Sequence, residues 1–243
     1  MLPQTLCLDF GNTTYKYAIF QGDKLMQTHH IEIESALEKI KSIVEKEKIE
    51  RAILVSVVNH DEGINEFLST LKKFIQLNPK TNVPFINAYG TPETLGQDRV
   101  ALLSGLVKKF PGEAGLVICI GTCITYNFLT DRKTFRGGAI SPGINLRLKS
   151  MNQFTDKLPL VEQKGDSPLL GYDTETSLRS GVINGIAAEI DGIIDRYETQ
   201  FGKINAVLTG GDAPFFESRL KSRIFADNNF IFKGLYAILE HNS

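Results

Sequence analysis

Asp9 closes the apolar run Leu6-Cys7-Leu8, just before Phe10-Gly11-Asn12-Thr13-Thr14 and a second apolar run, Tyr15-Lys16-Tyr17-Ala18-Ile19-Phe20. Side-chain character alternates through both runs, which predicts strand, tight turn, strand. Gly11 and Asn12 are assigned to the turn because both accept positive φ. A carboxylate is an unusual end for an apolar strand. Beside it stand a glycine, small polar side chains and their backbone N–H groups. Such a turn lets a phosphate approach the backbone while the carboxylate holds an accompanying metal ion, directly or through water. Lys16 adds a positive charge on the returning strand. The same residues also suit an ordinary hairpin with a polar tip.

A second chemically capable stretch is Tyr89-Gly90-Thr91-Pro92-Glu93-Thr94-Leu95-Gly96-Gln97-Asp98-Arg99. It is a polar loop that runs into the apolar helical pattern Val100-Ala101-Leu102-Leu103, then Leu106-Val107. Asp98 at a helix start complements the helix dipole. It also suits a general base that takes a proton from an alcohol. Arg99 offers either a surface charge or a bidentate fork for a carboxylate. Tyr89 reads as a pocket wall or a half-buried loop aromatic. His60, in the turn Asn59-His60-Asp61, is assigned as a solvated neighbour of a helix cap.

The elements that must position these groups come in two similar sets. Leu116-Val117-Ile118-Cys119-Ile120-Gly121-Thr122 and the returning Cys123 to Leu129 echo the first hairpin, with Cys119 where Asp9 stood. A short third strand follows each hairpin, over residues 24–33 and 134–140, and helical patterns follow in both halves. A repeat of half the chain is too long for a solenoid and fits two similar domains, 1–114 and 115–243. In the first, residues 36–48 form a helix with Ile40, Ile43 and Val44 on its buried stripe. Arg51 to Val58 is a strand buried on both faces, and Val83 to Ile86 is a short strand. In the second, Gly137-Gly138-Ala139-Ile140-Ser141-Pro142-Gly143 is glycine-dense backbone between a strand and a helix. It serves as a plain connection, or as a wall that a ligand approaches closely. Residues 174–197 form the most regular helix, with Thr174 as N-cap and Leu178, Val182, Ile183, Ile186, Ile190 and Ile194 in its stripe. Ala206 to Thr209 is a buried strand ending in Gly210-Gly211.

Four of these motifs together resemble the type III pantothenate kinases: Asp9-Phe10-Gly11-Asn12-Thr13, Gly96-Gln97-Asp98-Arg99, Gly121-Thr122, and Gly137 to Gly143. That family belongs to the acetate kinase, sugar kinase, Hsp70 and actin superfamily. The resemblance runs from Leu6 to Gly211 and implies an α/β fold of two ribonuclease-H-like domains with a nucleotide cleft between them. It implies ATP-dependent phosphorylation of pantothenate, the first step of coenzyme A biosynthesis. Asp98 would be the base. Asp9 would carry magnesium through water, and Phe10, Gly11, Asn12, Thr13, Thr14, Tyr15, Lys16 and Thr122 would surround the ATP phosphates. Tyr89, Gly96, Gln97, Asp98, Arg99 and Thr174 would line the pantothenate site. A homodimer is implied, with the long helix near the partner. Relatives carry Asp at the Cys119 position, where it helps to hold potassium or ammonium. Cys119 therefore puts that monovalent cation in question. Kinase action on another small alcohol, or a non-catalytic relative such as a Bvg accessory factor, are the alternatives.

Composition sets the remaining bounds. The 243 residues are 42% apolar, enough for one large or two ordinary cores. A net charge of −1 gives no nucleic-acid footprint, and no run is long enough for a membrane span. Met1-Leu2-Pro3-Gln4 does not open a signal peptide. Three cysteines in apolar strands suggest packed thiols in a reduced, cytoplasmic chain.

Overall fold

The computed structural model describes residues 3–243, so Met1 and Leu2 of the opening segment lie outside the described residues. The chain begins with β1 (Gln4–Phe10), β2 (Tyr15–Gln21), β3 (Lys24–Ile31), α1 (Ala36–Glu47), β4 (Ile49–Ser56), α2 (Glu62–Leu68) and β5 (Lys73–Gln76). It continues through β6 (Ile86–Asn87), α3 (Gln97–Lys109), β7 (Gly115–Ile120), β8 (Cys123–Leu129), β9 (Thr134–Pro142) and α4 (Ile144–Gln153). It ends with α5 (Thr174–Phe201), β10 (Asn205–Thr209), α6 (Ala213–Glu217), β11 (Phe225–Ala226) and α7 (Phe230–His241).

Two compact units result. The first holds residues up to Gly112, together with Leu129–Gly137 and Asn229–Ser243. The second holds Glu113–Phe128 and Gly138–Asn228. The expected division after residue 114 lies close to the first crossing, but the chain crosses again within β8 and β9, and α7 returns to the first unit. The reason is apolar surface. Phe230, Phe232, Leu235, Ile238 and Leu239 of α7 are buried, at about 1.5–3 kcal/mol each. Their helix packs on α3, β1 and β4. Gly234 permits the approach: a Cβ there would stand 1.8 Å from the Ala101 carbonyl oxygen.

In the first unit the sheet order is β3-β2-β1-β4-β5. β1 is antiparallel to β2 and parallel to β4, which is parallel to β5. Leu6, Leu8 and Phe10 alternate onto one face, where they join Ile40 and Ile43 of α1 in a buried cluster. In the second sheet β9, β8, β7, β10 and β11 follow in the same order, with β10 parallel to both β7 and β11. Leu116, Ile118, Ile120, Ile124, Tyr126 and Phe128 alternate onto its core, against Ile183, Ile186, Ile190 and Ile194 of α5. The half-chain repeat thus appears as a repeated strand order. The strand expected over Val83–Ile86 is the two-residue β6, which pairs with the start of β9 through Ile86 and Thr134. Pro84 has no N–H for a ladder, which leaves room for no longer strand.

Candidate active site

β1 carries Asp9 to its C-terminal end, where it lies directly opposite Lys16 on β2. The turn differs from the sequence expectation. Phe10 pairs with Tyr15, and the Gly11 N–H donates to the Thr14 carbonyl at 3.1 Å. Asn12 and Thr13 therefore occupy the tip, and neither Gly11 nor Asn12 has positive φ. Stacked rings of Phe10 and Tyr15, with centroids 3.9 Å apart, brace the hairpin base. His60 packs edge-on against Phe10 and is within 3.2 Å of both Ser56 Oγ and Asn65 Oδ1. It is a half-buried structural side chain rather than a solvated cap neighbour, because the apolar Phe10 face draws the ring inward.

The Asp9 carboxyl is pushed up to about 7. Burial is the main cause. Lys16 opposes the shift, and the negative charge of Asp98 adds to it. Asp9 and Asp98, 89 positions apart by subtraction of their numbers, are thus in electrostatic range within one unit. Asp98 sits in the first turn of α3, whose N-cap is Gly96. Its carboxylate folds back so closely that a Cβ on Gly96 would stand 2.6 Å from Oδ1. The glycine of this motif therefore leaves room for the Asp98 carboxylate in this position. Burial raises the Asp98 pKa, and the Arg99 backbone N–H and charge pull it back. Arg99 is buried, with its guanidinium carbon 5.7 Å from the ring centres of both Tyr89 and Phe135. The Gln97 Nε2 donates to the Leu95 carbonyl at 2.9 Å, while its Oε1 is buried with no hydrogen-bond partner.

The second unit presents a different kind of site. Thr122 is exposed at the tip of the β7–β8 hairpin, and the Gly143 N–H donates to its carbonyl at 3.0 Å. A Cβ on Gly143 would lie 2.0 Å from the Gly121 carbonyl oxygen, and one on Gly210 would lie 2.3 Å from that of Ile120. Gly210 also has φ of +102°, a conformation that L side chains rarely adopt. The ends of β9 and β10 thus press backbone against the Gly121-Thr122 turn. Cys119 lies on β7 opposite Thr209 of β10. The cysteines are not uniformly packed. Cys7 is buried and its thiol strongly raised by burial, whereas Cys119 and Cys123 are half-buried because they alternate away from the core face.

Thr174 is not the N-cap of α5. Asp173 fills that role in a capping box, its Oδ1 accepting from the Thr176 N–H at 2.8 Å. That bond and a second from Thr176 Oγ1 to Asp173 Oδ1, at 2.7 Å, hold the Asp173 carboxyl below the ordinary range. Thr174 is the exposed first residue and lines a cavity of about 890 Å³ with Arg147, Tyr172 and Ser177. Arg147 ties the end of β9 to α5. It donates to the Pro142 carbonyl and Ser141 Oγ, each at 2.8 Å, and pairs with Glu189, which also accepts from Tyr126 at 2.8 Å.

Asp9, Lys16, Tyr89, Asp98 and Arg99 therefore belong to the first unit, and Cys119, Thr122 and Thr174 to the second. Phe135 and the Arg147–Glu189–Tyr126 network went unseen in the sequence. An isolated aromatic in a short strand and a charge pair 42 positions apart leave no local pattern to find.

Comparison with solved structures defines the class. A conserved putative Baf family transcriptional activator from Campylobacter jejuni aligns with a TM-score of 0.64 at 24% identity, covering 98% of each chain. A putative N-acetylmannosamine kinase from Listeria monocytogenes aligns with a TM-score of 0.56 at 12% identity, covering 99% of this chain and 100% of the other. The fold is that of the actin-like ATPases and sugar kinases, as the sequence resemblance implied. The family model for type III pantothenate kinase matches residues 5–196. A type III pantothenate kinase from Christiangramia forsetii is 40% identical over 238 residues, 98% of each chain. The chain belongs to the type III pantothenate kinase family.

Proposed function

We propose that this protein transfers the terminal phosphoryl group of ATP to the terminal hydroxyl of pantothenate, the first step toward coenzyme A. The observation that carries this reading is the placement of Asp98. It is a partly buried carboxylate held at a helix start, within electrostatic range of a second carboxylate, in a chain of this family. Phosphoryl transfer from ATP to an alcohol needs one proton acceptor and a strong positioning field. Asp98 takes the hydroxyl proton as the alcohol oxygen bonds to the γ-phosphorus. The bond from that phosphorus to the bridging oxygen breaks, and ADP leaves with its electron pair. A base whose pKa is lifted toward neutrality accepts the proton more readily.

The Asp9 end of the β1–β2 hairpin fits a hard divalent cation. Its donors are oxygens, from the Asp9 carboxylate and from exposed Asn12, Thr13 and Thr14. Burial disfavours the charged carboxylate even with Lys16 opposite, and a bound cation would favour it. When bound, magnesium neutralises phosphate charge. The chain's own part is to present Asp9, the Lys16 ammonium and the turn backbone. Within the second unit, Thr122 sits in a glycine-built turn whose exposed backbone suits a phosphate. Cys119 does not fit a hard monovalent cation, which prefers oxygen to a thiol, so potassium activation is weak or absent in this chain.

Arg99 pairs with the pantothenate carboxylate, Tyr89 walls the pocket, and the orphan Gln97 Oε1 accepts from a polar hydrogen of the substrate. Leu169, Leu170 and Tyr172 are 88%, 86% and 72% exposed beside the Thr174 cavity. Apolar exposure of that size suits an interface, and we assign it to a homodimer in the cytoplasm. No helix of the described residues is long and apolar enough to cross a membrane. A coupled assay of ADP release with and without pantothenate tests the activity. Pantothenate-independent turnover, or none, would overturn it. Light scattering at micromolar concentration tests the dimer.

A further inference from the structure

The Gly121-Thr122 turn is braced on one side and open on the other. A Cβ on Gly121 would meet no atom within 4 Å, and Thr122 is exposed. On the braced side the Gly143 N–H donates to the Thr122 carbonyl at 3.0 Å, and a Cβ on Gly143 would lie 2.0 Å from the Gly121 carbonyl oxygen. The turn thus rests on the Ser141-Pro142-Gly143 corner, and that corner is itself clamped. From the first turn of α4, Arg147 donates to the Pro142 carbonyl and to Ser141 Oγ, each at 2.8 Å, and pairs with Glu189 of α5. Glu189 in turn accepts from the Tyr126 hydroxyl at 2.8 Å. Tyr126 stands on β8, the strand that leaves the turn. The contacts therefore close into a ring, from Thr122 through Gly143, Arg147, Glu189 and Tyr126 back along β8, and every member belongs to the second unit. The Arg147 and Glu189 side chains are only 22% and 25% exposed, so solvent screens their charges less than those of a surface pair. Burial works against the Glu189 charge, but hydrogen bonds from Arg147, Tyr126 and Ser141 hold its carboxyl below the ordinary range.

We infer that Tyr126 is a positioning residue that, through Glu189 and Arg147, sets the backbone of the Gly121-Thr122 turn for the phosphate groups of ATP. The inference rests on the proposed kinase activity and adds to it a residue outside the four motifs. The Tyr126 ring is fully buried in the core of its unit, and its hydroxyl is the part that enters the ring of contacts. A polar network whose members are all satisfied is rigid, and backbone donors that are already aimed lose less freedom when an anion binds. The effect of the hydroxyl passes through Glu189 and is confined to the phosphate end of the nucleotide.

That confinement is what an experiment can read. Tyr126→Phe keeps the ring and removes the hydroxyl. Wild type and variant are compared by calorimetric affinity for ADP with magnesium, and by KM for ATP and for pantothenate. Tyr126→Phe should weaken ADP binding and raise KM for ATP roughly 2- to 10-fold, the size of one hydrogen bond. Its kcat and its KM for pantothenate should stay near wild type. Glu189→Gln should move the same two quantities in the same direction, and it takes over the measurement if Tyr126→Phe does not fold. The double variant should lose no more than Glu189→Gln alone, because both side chains act along one path. A lower Tm with unchanged ADP affinity and unchanged KM for ATP would assign the hydroxyl to stability alone and overturn the inference. Additive losses in the double variant, or a rise in KM for pantothenate alone, would overturn it as well. A wild type that binds ADP yet phosphorylates no pantothenate would overturn the kinase reading itself, and ADP affinity would still decide the role of Tyr126.

Discussion

The two hairpins of this protein share a position in the strand order and differ in what they offer. In β1–β2 the strand end carries charge: Asp9 faces Lys16, and the turn needs no glycine, since a Cβ on Gly11 would meet only the Thr14 carbonyl oxygen at an ordinary 3.4 Å. In β7–β8 the corresponding side chain is a cysteine, and the turn is hemmed by backbone that tolerates no Cβ on Gly143 or Gly210. One hairpin therefore presents charged side chains and the other closely packed backbone. Duplication of a strand order does not duplicate its chemistry. A hairpin tip projects whatever its few residues supply, while the alternating core residues behind it are enough to keep the sheet.

The largest test of this contrast lies on the charged side. Asp98→Asn should lower kcat by ~10²–10⁴-fold, the usual cost of removing a positioned base, with ATP affinity by calorimetry nearly unchanged. Lost ATP affinity would move Asp98 to the nucleotide side of the reaction. Next, Gly143→Ala forces backbone apart at the Thr122 turn, and a misplacement of that kind costs about 10²-fold in kcat/KM. Gly11→Ala should remain within a few-fold of wild type. Similar losses in the two variants would erase the distinction between the hairpins.

A smaller effect is expected at the paired positions themselves. Cys119→Asp should create or strengthen potassium dependence, measured as turnover against potassium at fixed ionic strength. Strong potassium activation of the wild type would show that the thiol does not disable a cation site.

The smallest effect concerns stability. Asp9 has its pKa raised from 3.8 to about 7 in the folded protein. The folded state thus holds a proton that the unfolded chain gives up. The stability tied to that proton is full below about pH 4 and is lost as pH rises through about 7. Asp9→Asn, which needs no proton, should therefore melt higher than wild type at pH 8 and gain less at pH 5. A gain of about 1 kcal/mol would move Tm by about 2–4 °C. An equal gain at both pH values would detach it from Asp9 ionisation.

Much of this is legible in the sequence. Strict alternation made β1, β2, β7 and β8 readable, because a strand with one buried face must repeat every second residue. The three- and four-residue steps of α1 and α5 were equally plain. Gly96-Gln97-Asp98-Arg99 was visible as a motif, though not the reason for its glycine. The errors fell where local rules compete. Thr174 and Asp173 are both good caps, and the capping box with Thr176 decides for Asp173. Gly11 and Asn12 both tolerate positive φ, but cross-strand register moved the tip to Asn12 and Thr13.

The sequence by itself determined the repeated α/β pattern, the family and the identities of the charged residues. Those follow from residue type and short-range periodicity, which the chain carries locally. Only the tertiary structure decided that Asp9 and Asp98 share an electrostatic environment, that α7 belongs to the first unit, and that Arg99 rests against Phe135. Each of these joins residues far apart in the chain. Their proximity is set by how apolar faces are buried together, and no local pattern encodes that.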